Sequence, residues 1–201
     1  MDSQISNVCR ASYFEIRKLG QLRDYLDVNS TKIIASSCVL SRLDYCNSIL
    51  AGCTDDSLKK WQKVQKNAAW LVFKKPKRDH ITPLLNQLHW LPIKSRIKYK
   101  LATLCFKSTK CDGPLYLNKL LTPHTAIRPL RAEHRNTFEI PVTKLSTYGD
   151  RAFSHTGPSV WNALPYDLRN MSNFESFKKH LKTHLFREHF NSWFIFKSAM
   201  T

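Results

Sequence analysis

From Leu58 to Val72 the apolar residues Leu58, Trp61, Val64, Ala68, Leu71 and Val72 recur at three- and four-residue steps. Lys59, Lys60, Lys63 and Lys66, with Lys74 beyond, fall largely on the other side of that period. The spacing predicts an amphipathic helix, and such a helix is stable in water only if its apolar face is covered by other elements. Thr54 or Asp55 is the expected cap. Two earlier stretches repeat the pattern. Ile5, Val8, Cys9, Ser12, Ile16 and Leu19 predict a helix starting at Asp2 or Ser3 and closing at Gly20. Ile33, Ile34, Cys38, Leu40 and Leu43 predict a second, starting at Asn29 or Ser30 and reaching Leu50, with Gly52 as its stop. Three such helices on short loops make a small bundle. Only 5 glycines occur in 201 residues, which argues against a turn-dense all-β fold. The expected class is therefore mainly α.

Lys74–Asp79 (KKPKRD) interrupts the pattern, and Pro76 is the expected helix stop. Beyond it, Thr82–Pro83 reads as a helix start with Leu84, Leu85 and Leu88 on one face. Pro92 opens the next helix, with a stripe of Ile93, Ile97, Leu101, Leu104 and Cys105. Pro114 opens a short one running through Leu121. From Thr122 to Gly149 the period fades into a partly extended connection, in which Thr137–Ile140 and Val142–Leu145 are candidates for short strands. Arg151–Leu164 is helical again, with Pro158 expected to kink or divide it. Ser172–Glu175 has the form of a capping box before a helix that buries Phe174, Phe177, Leu181 and Leu185. The apolar tail Trp193–Met200 is expected to dock or fray. Composition thus divides the chain into a helical bundle (1–74), a basic helical segment (75–121), an irregular connection (122–149) and a C-terminal helical region (150–201).

Charge narrows the partner. The chain carries net +17, and residues 59–110 hold fourteen Lys or Arg against one acid, Asp79. A surface of that kind repels itself unless it binds polyanions, and nucleic acid is the usual one. The candidate nucleic-acid-binding residues are Lys63, Lys66, Lys74, Lys75, Lys77, Arg78, Lys94, Arg96, Lys98 and Lys100. Lysine outnumbers arginine among them, which suits contact with the phosphate backbone rather than base readout. Trp61, Trp70, Phe73, Trp90 and Tyr99 are candidates for base stacking. Aromatics at helical spacing are more often core, so Trp61 and Trp90 are expected to be buried. No signal peptide and no run of about 18 uncharged apolar residues is visible. The six cysteines then read as reduced thiols in an intracellular protein of nucleus or cytoplasm, neither secreted nor in a membrane.

Signals for chemistry are sparse. Asp55–Asp56 is the only Asp-Asp pair, and helix capping with dipole compensation accounts for it more simply than a two-metal centre. His180 and His184 share a helix face with His189 nearby, but Leu181 stands where a zinc-peptidase helix needs Glu. No catalytic residue and no metal site is assigned.

Several blocks together resemble one family. They are SRLDYCNS (41–48), LKKWQKVQKNAA (58–69), DHITPLLNQLHWLP (79–92), TYGDRAF (147–153), VWNALP (160–165) and FKKHLKTHLF (177–186). In this order they are similar to the C-terminal part of reverse transcriptases from non-LTR (LINE-type, Jockey-like) retrotransposons. The resemblance implies a thumb-like three-helix bundle followed by a helical C-terminal region. It also implies that Lys63, Lys66 and the 74–78 loop lie near a template–primer duplex. The palm, with its metal-binding aspartates, lies outside the residues the resemblance covers, so no cofactor is expected in this chain and Mg²⁺ would belong to the palm. The expectation is a noncatalytic fragment of an RNA-directed DNA polymerase that binds RNA or an RNA–DNA duplex. The alternative is an orphan or interaction protein of retroelement origin with no retained activity, prone to self-association.

Overall fold

The computed structural model describes residues 2–111, 113–124, 136–143, 145 and 148–198, with side chains described from Ser3 to Phe190 within those ranges. It is mainly helical. Packing divides it into two compact units: residues 1–47, 53–96 and 190–201 in one, and 48–52 and 97–189 in the other.

The first unit contains α1 (Asp2–Leu22), α2 (Val28–Ala35), α3 (Ser41–Asp44), α4 (Asp55–Val72) and α5 (Ile81–Leu88). Helix α4 is its centre, with α1, α2 and α5 packed on it. Leu58, Trp61, Val64, Ala68 and Val72 are buried along its predicted face. Helix α1 contributes Ile5, Ser12 and Leu19, again on the predicted side.

The second predicted helix is corrected in its start and in part of its face: Leu40 and Leu43 are buried as expected, while Ile34 and Cys38 are only half-buried. Asp27 is its cap, its carboxylate accepting from the backbone N–H of Asn29 and Ser30 at 3.0 and 3.2 Å. Thr31, Ala35 and Val39 point inward, whereas Ile33 is 57% exposed. Residues 36–40 form a π-helical turn before α3, and Asn47–Leu50 is a separate 3₁₀ turn. Each π turn holds an extra residue, so the inward face rotates and a single helical period cannot follow it.

Helix α5 starts at Ile81 rather than at Pro83. It ends with His89 in the left-handed conformation at φ 55°. The His89 N–H donates to the Asn86 carbonyl at 2.9 Å and the Trp90 N–H to the Leu85 carbonyl at 2.9 Å. That is a Schellman closure, and the buried side chains of Leu85 and Trp90 complete it. The segment that follows is tied to α4. The Gln65 side chain, 0% exposed, donates through Nε2 to the Leu91 carbonyl at 2.8 Å and accepts from Gln62 Nε2 at 2.9 Å. Gln62 Oε1 in turn accepts from the Ile93 N–H at 3.0 Å. The Leu-His-Trp-Leu-Pro sequence is therefore a helix stop, a core anchor and a helix start in direct succession.

Helix α6 (Ile93–Lys110) contributes its residues from Ile97 onward to the second unit, with α7 (Leu115–Asn118), α8 (Phe153–Asn162), α9 (Tyr166–Arg169) and the part of α10 (Phe174–Ser198) up to His189. Its core is aromatic. The Phe106 and Phe177 rings stack with centroids 4.4 Å apart, and Trp161 lies 5.9 Å from Phe177 and 5.7 Å from Phe138. Trp161 Nε1 donates to the Asn136 carbonyl at 2.8 Å. The Asn162 amide accepts from the Phe138 N–H at 2.9 Å and donates to the Phe138 carbonyl at 2.8 Å, as a neighbouring strand would. Of the strand candidates, Thr137–Ile140 makes one isolated bridge, Pro123 with Phe138, and no strand forms among the described residues. Val142–Leu145 includes Lys144, outside the described residues. Helix α8 runs through Pro158 without a break. Asn173, not Ser172, caps α10, its Oδ1 accepting from the Ser176 N–H at 2.9 Å. The backbone of α10 continues to Ser198; the side chains of the apolar tail lie outside the described residues.

Candidate nucleic-acid interface

Lys59, Lys63, Lys66 and Trp70 recur at i, i+4, i+7 and i+11 and so form one line on α4, opposite its buried face. The line runs into the 74–79 loop. Helix α4 ends earlier than its proline suggests, because Lys74 adopts φ 51° and the chain closes there. The Lys74 N–H donates to the Leu71 carbonyl at 3.2 Å and the Lys75 N–H to the Trp70 carbonyl at 3.0 Å, a second Schellman closure. Pro76–Asp79 is then a hydrogen-bonded turn, Asp79 N–H to Pro76 carbonyl at 3.0 Å. The half-buried indole of Trp70 donates through Nε1 to the Asp79 carbonyl at 3.2 Å. The loop is thus fastened at both ends to the last turn of α4.

One residue holding this end of α4 carries no signal in the sequence. Arg23, 6% exposed, donates through Nε to the Leu71 carbonyl at 3.0 Å and through Nη2 to the Val72 carbonyl at 2.7 Å. Its Nη1 reaches the Leu26 carbonyl at 2.6 Å. A cation here satisfies the orphan carbonyls of the helix and favours its dipole. A helical period cannot disclose a partner 48 residues away.

Ion pairs sort the ten candidate cations. Lys74 meets Asp24 at 2.6 Å, and this contact holds the Asp24 carboxyl below the usual carboxylate range. Lys94 meets Asp55 at 2.6 Å with the same effect on Asp55. Arg96 pairs with Asp44 and donates through Nε to the Leu91 carbonyl at 3.0 Å, so it holds the start of α6. In the second unit Lys98 meets Glu188 at 2.9 Å. Among the described residues, Lys63, Lys66, Lys75, Lys77, Arg78 and Lys100 show no ion pair. Five of these six belong to the first unit, on the α4 line and its turn.

Trp61 and Trp90 are 3% and 4% exposed, core residues as expected. Trp70, Phe73 and Tyr99 are half-buried, so no candidate ring stands clear of the fold as a stacking platform.

The carboxylate pair does not fit a metal centre. Asp55 turns to Lys94, and Asp56 turns to Lys59 at 2.8 Å. Both lie in the first turn of α4, where negative charge favours the helix dipole. His180 Nδ1 contacts the Ser176 carbonyl of its own helix at 2.8 Å. Among the described residues no cluster of His, Cys, Asp or Glu could hold a metal ion, and no helix is long and apolar enough to cross a membrane. The chain matches no protein-family model, no curated protein and no solved structure.

Proposed function

We propose that the chain is the thumb and C-terminal region of a non-LTR (LINE-type, Jockey-like) retrotransposon reverse transcriptase. On this reading it binds the backbone of RNA or an RNA–DNA duplex without regard to sequence. The observation that carries the binding is the set Lys63, Lys66, Lys75, Lys77 and Arg78, unpaired among the described residues and gathered on one helix line and the turn that continues it. The net charge of +17 favours any polyanion, and this set is the part of that charge the proposal assigns to contact. Nucleotide addition requires carboxylates that converge on Mg²⁺, and Asp55 and Asp56 are each engaged by a lysine instead. The role proposed for these residues is therefore binding.

Phosphate contact displaces counterions. With five phosphates neutralised, log affinity for an RNA–DNA duplex should fall against log salt with a slope of about −4 to −5. Binding that is absent at low salt, or indifferent to salt, overturns the proposal. Replacement of Lys75, Lys77 and Arg78 by alanine should weaken binding to all duplex sequences alike; a loss confined to one sequence means base readout instead.

A further inference from the structure

Trp70 does two things that its neighbours on the α4 line do not. Its carbonyl accepts the Lys75 N–H at 3.0 Å, and its indole Nε1 donates to the Asp79 carbonyl at 3.2 Å. Between those two attachments stand Lys75, Lys77 and Arg78, all exposed. Pro76, whose ring fixes its own φ, heads the closed Pro76–Asp79 turn. Four exposed residues in five carry charge here, and such a segment would ordinarily sample many conformations. The fastenings remove that freedom before any ligand arrives.

From this geometry we infer that the 74–79 turn is a pre-shaped site for a run of consecutive backbone phosphates, and that Trp70 is its positioning residue. The inference rests on the nucleic-acid reading above. A long cationic side chain on a loose loop loses conformational freedom on binding; one on a fixed turn has already lost part of it. Trp70 touches no phosphate in this scheme. It sets where three charges stand relative to one another, and its replacement should leave the number of ionic contacts unchanged.

The test uses the full 201-residue chain and an RNA–DNA duplex of about 20 base pairs, titrated by fluorescence anisotropy between about 50 and 200 mM salt. Trp70→Phe keeps an aromatic ring and removes the N–H donor. Its affinity should fall about tenfold at fixed salt while the salt slope stays that of the parent. Hydrogen exchange at the Asp79 amide should accelerate in the same variant. Pro76→Gly, which keeps every charge and the indole, should weaken binding in the same direction without a change of slope. The triple variant Lys75→Ala, Lys77→Ala, Arg78→Ala should make the slope shallower by about 2.7. If both Trp70→Phe and Pro76→Gly bind as the parent does while the triple variant loses slope, Trp70 has no positioning role and the binding site stands. If the triple variant keeps the parent slope, the nucleic-acid reading of this turn fails with it.

Discussion

Arg23 Nη2 donates to the Val72 carbonyl at 2.7 Å, so a buried cation from the turn just after α1 closes the far end of α4. Replacing Arg23 with methionine keeps most of the apolar stem and removes the guanidinium from the Leu26, Leu71 and Val72 carbonyls, of which Leu71 keeps the Lys74 N–H. The loss should be about 2–3 kcal/mol in urea unfolding. Arg23→Lys should recover only part of it, since one ammonium cannot span carbonyls that a planar guanidinium reaches together. Equal stability of Arg23→Met and the parent would show that water satisfies those carbonyls.

Two positions with positive φ should respond to substitution in opposite directions. His89, at φ 55°, carries a Cβ in the left-handed region, so His89→Gly should be about 1 kcal/mol more stable than His89→Ala, which lacks the same ring but keeps the Cβ. Gly52, at φ 73°, has no room for one: an added Cβ would stand 2.8 Å from Arg151 Cγ. Gly52→Ala should cost about 1–2 kcal/mol, read as a lower midpoint in the same unfolding curves.

Gln65 should be less tolerant than a polar residue usually is. It is fully buried on α4 and holds the Leu91 carbonyl. Gln65→Leu preserves the bulk, leaves the Leu91 carbonyl to Arg96 alone and takes the acceptor from the Gln62 amide, at about 1–2 kcal/mol. Because the Gln62 side chain also accepts the Ile93 N–H, amide exchange at Ile93 should quicken in the variant.

Cys105 sets an alkaline limit. Burial pushes its thiol up from 9.0 to about 12. Between those values the unfolded chain ionises this thiol and the folded chain does not, so stability should fall as pH rises, by up to about 1.4 kcal/mol per pH unit. Cys105→Ala should start less stable and lack that increment of slope. With a thiol-reactive dye at neutral pH, the exposed Cys46 and Cys111 should label quickly and Cys105 only on unfolding.

The faces of α1, α4 and α6 were legible because each follows one uninterrupted period over many residues. Helix ends were less so. Asp27 and Asn173 cap helices for which Asn29, Ser30 and Ser172 looked equally suitable, since several neighbouring side chains can accept from the first free N–H groups. The left-handed closures at Lys74 and His89 carry no glycine to announce them. The wet face of α4 was plain from lysine spacing, yet which cations stay unpaired was not. Asp24, Asp44, Asp55 and Glu188 lie 39 to 90 residues from the bases they meet, and only folding brings them there. Trp70 was legible only as a candidate stacking surface; its bond to Asp79 depends on where the turn ends.

Surface loops generally accept added residues at little cost, and families diverge in length there first. The segment after α4 should behave otherwise. Trp70 holds one end by its backbone and the other by its side chain, so the span between them is measured against the length of an indole. A chain one residue longer between Lys75 and Asp79 could not satisfy both attachments. Exchange of its exposed side chains should leave its path unchanged, while its length is as fixed as that of the helix it closes.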